Sequence, residues 1–380
     1  MSFFLFVKQI VDMLYSYKML DYAMVGLILM LLTYQIMLVR PNLKEMFTIT
    51  DGFVLALSGL LTINFLKNAS EYETYFKILS AFLMYFVGRI YYERIQECYS
   101  ALVSASYIIV YINLFHRISK FGGNLLQVTN ADGDLYYYDT DMAFAMILAF
   151  VFITMFGKNS VIKLLTIFVV SPYMVFCSDA GIQKVLLLVV MTIVLVYITE
   201  LVLRKPKLCN VVLISMVISI IAIVILLYIP IMGIGDAEEI ASLFNGKILE
   251  YQNMNARYVA WNEVIQLAKE QGIVGRILGN GMSVGKADNI YVESLYVKSY
   301  YVLGWVGLFL ALGMLIVVIR YIVMVNDRKT FYLMVMMLII LLGSGIAINS
   351  MERVQMSWFP LMFAGMVVSS VQVERMGERK

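Results

Sequence analysis

The chain has 380 residues, of which 62% are hydrophobic and only 14% charged, and its mean hydropathy of +0.84 lies far above that of a soluble domain. Lipid must be the solvent for most of it, which excludes a soluble enzyme or binding module. The net charge of +3 is small and spread over many loops, with no basic tract for a polyanion, so nucleic acid is not an expected partner.

Apolar runs of roughly 18 to 25 residues recur along the whole length, matching the ~20 residues that a helix needs to cross a bilayer. The shorter alternating segments of a membrane β-barrel are missing. The fold class is therefore all-α: a polytopic membrane protein. The first segment, residues 3–16, carries Phe3 to Val7, then Lys8, then Ile10, Val11, Met13 and Leu14. It is short for a full span, and an interfacial amphipathic helix is the alternative. It lacks a signal-peptide layout with a small-residue cleavage site, so the mature chain is expected to begin at Met1.

The expected spans are 20–39, 51–66, 74–92, 99–116, 139–156, 160–177, 183–203, 209–233, 299–324, 330–349 and 356–373. This makes about eleven helices, or twelve if residues 3–16 also cross. Three regions follow: N-terminal helices over 1–233, one large extracytoplasmic loop over 234–298, and C-terminal helices with a cytoplasmic tail over 299–380. Short loops rich in Lys and Arg stay in the cytoplasm. Arg40 and Lys44, Arg89 and Arg94, Lys158 and Lys163, Arg204 to Lys207, Arg320 to Lys329, and the Arg375–Lys380 tail all fall on one side of the alternation. The other side holds 68–73, 117–138, 178–181, 235–298 and the turn at Glu352 and Arg353. Cys98, Cys177 and Cys209 lack paired spacing, so neither a disulfide nor a metal site is expected.

The large loop is long for a compact protein, and long ordered loops usually carry function. It contains its own helix, with Asn255 as the expected N-cap and Gly272 placed to end it. On that helix Arg257, Trp261, Ile265 and Ala268 share one stripe. A cation in the first turn of an apolar stripe is poorly placed for the helix dipole and wants an anion. Arg257 either snorkels to solvent or pairs with Glu250 or Glu263, or it clamps a phosphate bidentately.

Beyond the helix come Gly279-x-Gly281, where glycines permit a tight turn and close backbone approach, then Asp288-Asn289-x-Tyr291 and Gly304-x-x-Gly307. Asp288 or Asn289 is expected to begin the ninth helix, with Glu293 in its first turn, while Gly304 and Gly307 would permit close helix packing.

In order and membrane position, Arg257-x-x-x-Trp261, Gly279-x-Gly281, Asp288-Asn289-x-Tyr291 and Gly304-x-x-Gly307 resemble the pattern of the O-antigen polymerase and ligase family, the Wzy-like and WaaL-like membrane glycosyltransferases. The resemblance covers 255–310 and extends weakly to 139–143 and 178–188. It implies a multi-pass protein of the bacterial cytoplasmic membrane. Such an enzyme takes a sugar chain from undecaprenyl pyrophosphate and joins it to an acceptor on the outer face, with no metal or other cofactor. A polysaccharide chain-length regulator would be a further partner. By the same resemblance Arg257 would bind the pyrophosphate and Asp288 would be the general base. Asp288 stands where ligases typically carry a histidine, which favours the polymerase branch over the ligase branch.

Lys184 is the cation nearest to where family members often carry a second arginine. It would neutralise another phosphate oxygen or serve as an interfacial anchor. Arg117 would add to the anion site, and His116, the one histidine, would carry a proton or merely end its helix. Asn289, Tyr291, Trp261 and the Tyr136–Tyr138 patch would bind or stack on sugars, although Tyr and Trp also gather at membrane interfaces. A lipid-linked oligosaccharide flippase is the rival of another class. Against it, the polar residues read within the spans are mainly Ser58, Ser80, Ser104, Ser215 and Ser219, with Asn349 near a helix end, whereas carriers of hydrophilic cargo need polar groups at mid-membrane.

Overall fold

A computed structural model describes residues 1–13, 18–39, 47–67, 71–121, 139–178, 181–204, 251–282, 294–346 and 348–377. Its elements among these residues are all helical. They are α1 (Ser2–Met13), α2 (Lys18–Val39), α3 (Ile49–Lys67), α4 (Tyr72–Ile90), α5 (Tyr92–Glu97), α6 (Tyr99–Phe121) and α7 (Asp139–Phe156). Next come α8 (Val161–Leu165), a π-helical turn (Thr166–Val170), α9 (Ser171–Phe176) and α10 (Gly181–Leu203). The set closes with α11 (Tyr251–Glu270), α12 (Gly272–Leu278), α13 (Leu295–Met324), α14 (Arg328–Ser344) and α15 (Val354–Gly377). The helices α3, α6, α10, α13 and α15 are each long and apolar enough to cross a membrane. The expected span 209–233 lies outside the described residues.

The tightest pair is α4 with α15, which run parallel. Small residues at their contact let the backbones touch, as in membrane helix pairs generally. A Cβ added at Gly88 would lie 2.9 Å from the Met366 nitrogen, and one at Gly365 would lie 2.9 Å from the Arg89 nitrogen.

At one end of this pair sits a buried ion pair. The helix α3 starts with a capping box, Thr48-Ile49-Thr50-Asp51, in which the Thr48 N–H and Oγ1 donate to Asp51 Oδ2 at 2.7 and 2.9 Å. The same carboxylate accepts from Arg89 Nε and Nη2, both at 3.0 Å, and from the Tyr85 hydroxyl at 2.7 Å. Arg89 also donates to Ser369 Oγ at 2.6 Å and to Gln372 Oε1 at 3.0 Å. Arg89, read above as a cytoplasmic loop charge, is thus a buried fastener of α3, α4 and α15.

The same end collects other charges from that set. Arg328 forms a forked pair with Glu200, whose carboxylate also accepts from Tyr332 at 2.6 Å. Lys329 stands 4.7 Å from the Phe156 ring centre, and Lys163 closes the α7–α8 turn by donating to the Gly157 carbonyl at 2.9 Å. Glu374 of α15 accepts from Asn326 at 3.0 Å.

Residues 3–16 were read as either a crossing or an interfacial segment. Its described part, Ser2–Met13, is helical. It packs along α6, where Gln9 accepts from Ser106 at 3.2 Å. Its Lys8 is buried, with the ammonium 4.7 Å from the Trp358 ring centre. The span expected over 160–177 lies on α8, the π turn and α9; at the π turn Thr166 meets the Tyr111 hydroxyl at 2.9 Å, and Pro172 follows.

Breaking the Asp51–Arg89 pair from one side strands a charge in a dry site. Arg89→Leu should cost about 3–5 kcal/mol, and Asp51→Leu combined with Arg89→Leu should cost clearly less. Unfolding temperatures of the single and double variants in detergent check this. Additive losses would show that the pair is not the coupled unit described.

Candidate functional site

The site is built from the point where α11 and α12 meet α13 and α3. The helix α11 ends at Glu270, and Gly272, at φ +80°, takes the left-handed turn into α12, as its position predicted. The start differs from expectation: α11 begins at Tyr251, so Asn255 lies inside the helix rather than at its N-cap, and Arg257 falls in the second turn rather than the first. The apolar members of its stripe are buried, with Trp261 1% exposed, Ile265 7% and Ala268 0%. The stripe packs α11 against α12 and α13.

After α12 the chain enters Gly279-Asn280-Gly281, with φ of +89° and +92° at the two glycines. Here it meets an interruption in α13. Gly304 has φ +62° and ψ −167°, so the helix runs as two halves about this residue. The close-packing role expected of Gly304 is therefore only part of its work. A Cβ on Gly304 would lie 2.5 Å from the Ile277 carbonyl oxygen and 2.6 Å from the Gly279 nitrogen. The two glycine motifs, separate in sequence, touch through their backbones. The Tyr301 carbonyl just before the break accepts the Asn280 N–H at 2.9 Å.

A third element locks this crossing. Asn64 of α3 is fully buried. Its amide donates to the Leu60 carbonyl at 3.0 Å and to the Leu278 carbonyl at 2.8 Å. Its Oδ1 accepts from the Gly281 N–H at 3.3 Å and from Lys67 Nζ at 3.0 Å. Lys67 also donates to the Gly279 carbonyl at 2.8 Å. Sequence reasoning missed both Asn64 and Lys67. The available signal was a carboxamide standing within the apolar run Ile63-Asn64-Phe65-Leu66, where an amide needs a dedicated partner.

The start of α13 is also fixed, but not where it was expected. The helix begins at Leu295 after an extended Ser294, with no acidic residue in its first turn, so neither Asp288 nor Asn289 begins it and Glu293 lies ahead of it. The Leu295 N–H donates to the Gly345 carbonyl at 2.9 Å, and Tyr296 donates to the Leu342 carbonyl at 2.7 Å. Lys298 pairs with Glu352 on the α14–α15 connection.

Of the predicted site residues, Asp288, Asn289 and Tyr291 lie outside the described residues, as do Tyr136–Tyr138 and the side chain of Arg257. Trp261 is core rather than an exposed stacking platform. Arg117 is buried at the far end of α6, with Nε donating to the Tyr173 hydroxyl at 3.1 Å and the guanidinium 5.5 Å from that ring centre. It thus bridges α6 and α9. His116 is half-buried, and its carbonyl accepts from Ser119 at 2.8 Å. Lys184 is half-buried on the first turn of α10. Beside it Gln183 is fully buried, and among the described residues neither its amide oxygen nor its nitrogen has a hydrogen-bond partner. No protein-family model matches the chain, and no curated relative matches it.

The crossing predicts opposite outcomes for glycines of different kinds. Gly304→Ala combines a left-handed φ, worth about 1–2 kcal/mol of strain, with a backbone clash, and should lower the unfolding temperature. Gly59→Ala, in mid-helix with nothing within 4 Å of the added Cβ, should leave it unchanged or raise it slightly. Thermal melts of the two purified variants check this.

Proposed function

We propose that this protein polymerises oligosaccharide repeat units carried on undecaprenyl pyrophosphate into a surface, capsular or O-antigen polysaccharide. It would act on the outer face of a bacterial cytoplasmic membrane. In this reading about eleven helices span the bilayer, and residues 234–298 form the extracytoplasmic loop that carries the chemistry. The observation that carries the reading is the crossing itself. Gly279-x-Gly281 and Gly304-x-x-Gly307, two of the four motifs behind the family resemblance, meet backbone to backbone. Their order in the sequence therefore corresponds to one place in the fold, beside the helix that bears Arg257 and Trp261.

The mechanism proposed is direct attack of an acceptor sugar hydroxyl on the donor's anomeric carbon. Asp288 takes the hydroxyl proton, the new glycosidic bond forms, and the bond from the anomeric carbon to the pyrophosphate oxygen breaks. Negative charge grows on the departing pyrophosphate, so a fixed cation at that position does most for the rate. Arg257 is the cation proposed for this role, with Lys184 in support. Arg117 is the weakest member of the set, because its guanidinium already stacks on and donates to Tyr173 inside the bundle.

One observation favours a second reading, a lipid-linked oligosaccharide flippase or other transporter. Helices broken at membrane depth line the substrate paths of many carriers, and α13 is broken at Gly304. Here, however, backbone of the same chain fills the break, through Asn280 and Ile277, rather than leaving it open to cargo.

The test is the glycan ladder of a host lacking the protein, complemented with wild type, Arg257→Ala or Asp288→Asn at matched membrane levels. Collapse of the ladder to a single repeat unit exposed on the outer face is expected for the null strain. Each variant should lose roughly 100-fold or more in polymerisation rate. Subunits left facing inward would instead identify a transporter, and full ladders from both variants would overturn the assignment of these residues.

A further inference from the structure

We propose that Lys67 is the centre of a binding site for a lipid-borne phosphate, at the seam where α3 meets α12 and the Gly304 break of α13. Three observations converge on it. First, the ammonium is held in place. Two of its three protons go to neutral oxygens, Asn64 Oδ1 at 3.0 Å and the Gly279 carbonyl at 2.8 Å, and Asn64 is itself locked by its other bonds to the loop. Among the described residues the third proton has no acceptor and no carboxylate reaches the lysine.

Second, the side chain is exposed, and so is the apolar bed around it. Ile63, one turn earlier on α3, is 55% exposed and the adjacent Leu66 is 72% exposed. Ile277 and Leu278, which lead into the carbonyl that Lys67 holds, are 44% and 40% exposed. On a chain this apolar, such surfaces face acyl chains, and α12 has the sidedness of an interfacial helix, with Ile273 and Val274 also outward.

Third, the position suits a headgroup. A lone ammonium at the end of a lipid-facing helix gains by pairing with a phosphate at the bilayer surface while the lipid chain lies along the apolar residues below it. A free lysine would reach away into water; this one is tied back to the seam. The ligand chemistry is a phosphate ester or anhydride attached to a long hydrocarbon chain, which either a bulk phospholipid or a polyprenyl carrier supplies. The inference rests on the membrane placement of the chain and not on glycosyl transfer, so it and the glycan ladder fail independently.

The experiment titrates the detergent-purified protein with phosphatidylglycerol, with undecaprenyl phosphate or with a phosphate-free glucosyl diacylglycerol, read by native mass spectrometry. Lys67→Gln keeps a donor for the Gly279 carbonyl but removes the charge. It should weaken binding of at least one phosphate lipid roughly tenfold and leave the glycolipid unchanged, while Lys67→Arg retains wild-type occupancy. The phosphate lipid that responds identifies the source. Unchanged occupancy of both phosphate lipids in Lys67→Gln overturns the proposal. An equal loss of the glycolipid does so too, since it would reduce Lys67 to a fastener of the loop. A second reading needs no variant: bound phosphate lipid should protect Lys67 of the wild-type protein from acetylation, and equal labelling with and without the lipid overturns the site.

Discussion

A peptide group that faces hydrocarbon has nowhere to turn, so a helix within a membrane protein is interrupted only where other protein atoms take over the bonds it gives up. At the Gly304 break protein atoms take over such bonds. The Tyr301 carbonyl is taken by the backbone of Asn280. That bond brings Gly279 and Gly304 within backbone contact, which only residues lacking a Cβ allow. The turn in turn requires a partner on its other side, and Asn64 supplies it from a third helix.

The two ends of α3 show two uses of buried polarity. At one end Asp51 is neutralised by Arg89 and its remaining lone pairs are satisfied by Thr48 and Tyr85, an arrangement that needs nothing from outside. At the other end Asn64 bonds three peptide groups and the Lys67 ammonium, whose acceptors among the described residues are neutral oxygens. The first is the chemistry of a joint, the second that of a surface ready for a guest.

The positions of the helices were legible because hydropathy over twenty residues is a strong signal. The spans expected at 51–66, 139–156 and 183–203 lie on α3, α7 and α10 with shifts of no more than two residues at either end. The left-handed exit at Gly272 was equally readable, because a glycine after a periodic run has few other uses. Partnership was not. Arg89 looks like a topological charge until Asp51, 38 residues away, is seen beside it. Asn64 looks incidental until the Leu278 carbonyl, 214 residues away, is placed against it. Gly304 sits in an unbroken apolar run, so nothing local distinguishes a packing glycine from a helix break. Asn255 is a good N-cap by type, yet it lies inside α11, and nothing in its immediate sequence distinguishes the two positions.

The parallel pairing of α4 with α15 also bears on how the protein is made. Helices neighbouring in sequence run antiparallel when the connection is short, and they can associate as soon as both are inserted. The helix α4 instead finds its closest neighbour 280 residues later, where Ser369 meets Arg89, and Trp358 reaches back 278 residues to Ser80. The helix α1 waits with it, because Lys8 is roofed by Trp358 and Phe359. Until α15 is synthesised, a guanidinium, an ammonium and a groove lined with glycine stand without their cover in a half-made bundle. Assembly is therefore a late, long-range event, and the nascent chain carries its polar interior unshielded for most of its synthesis.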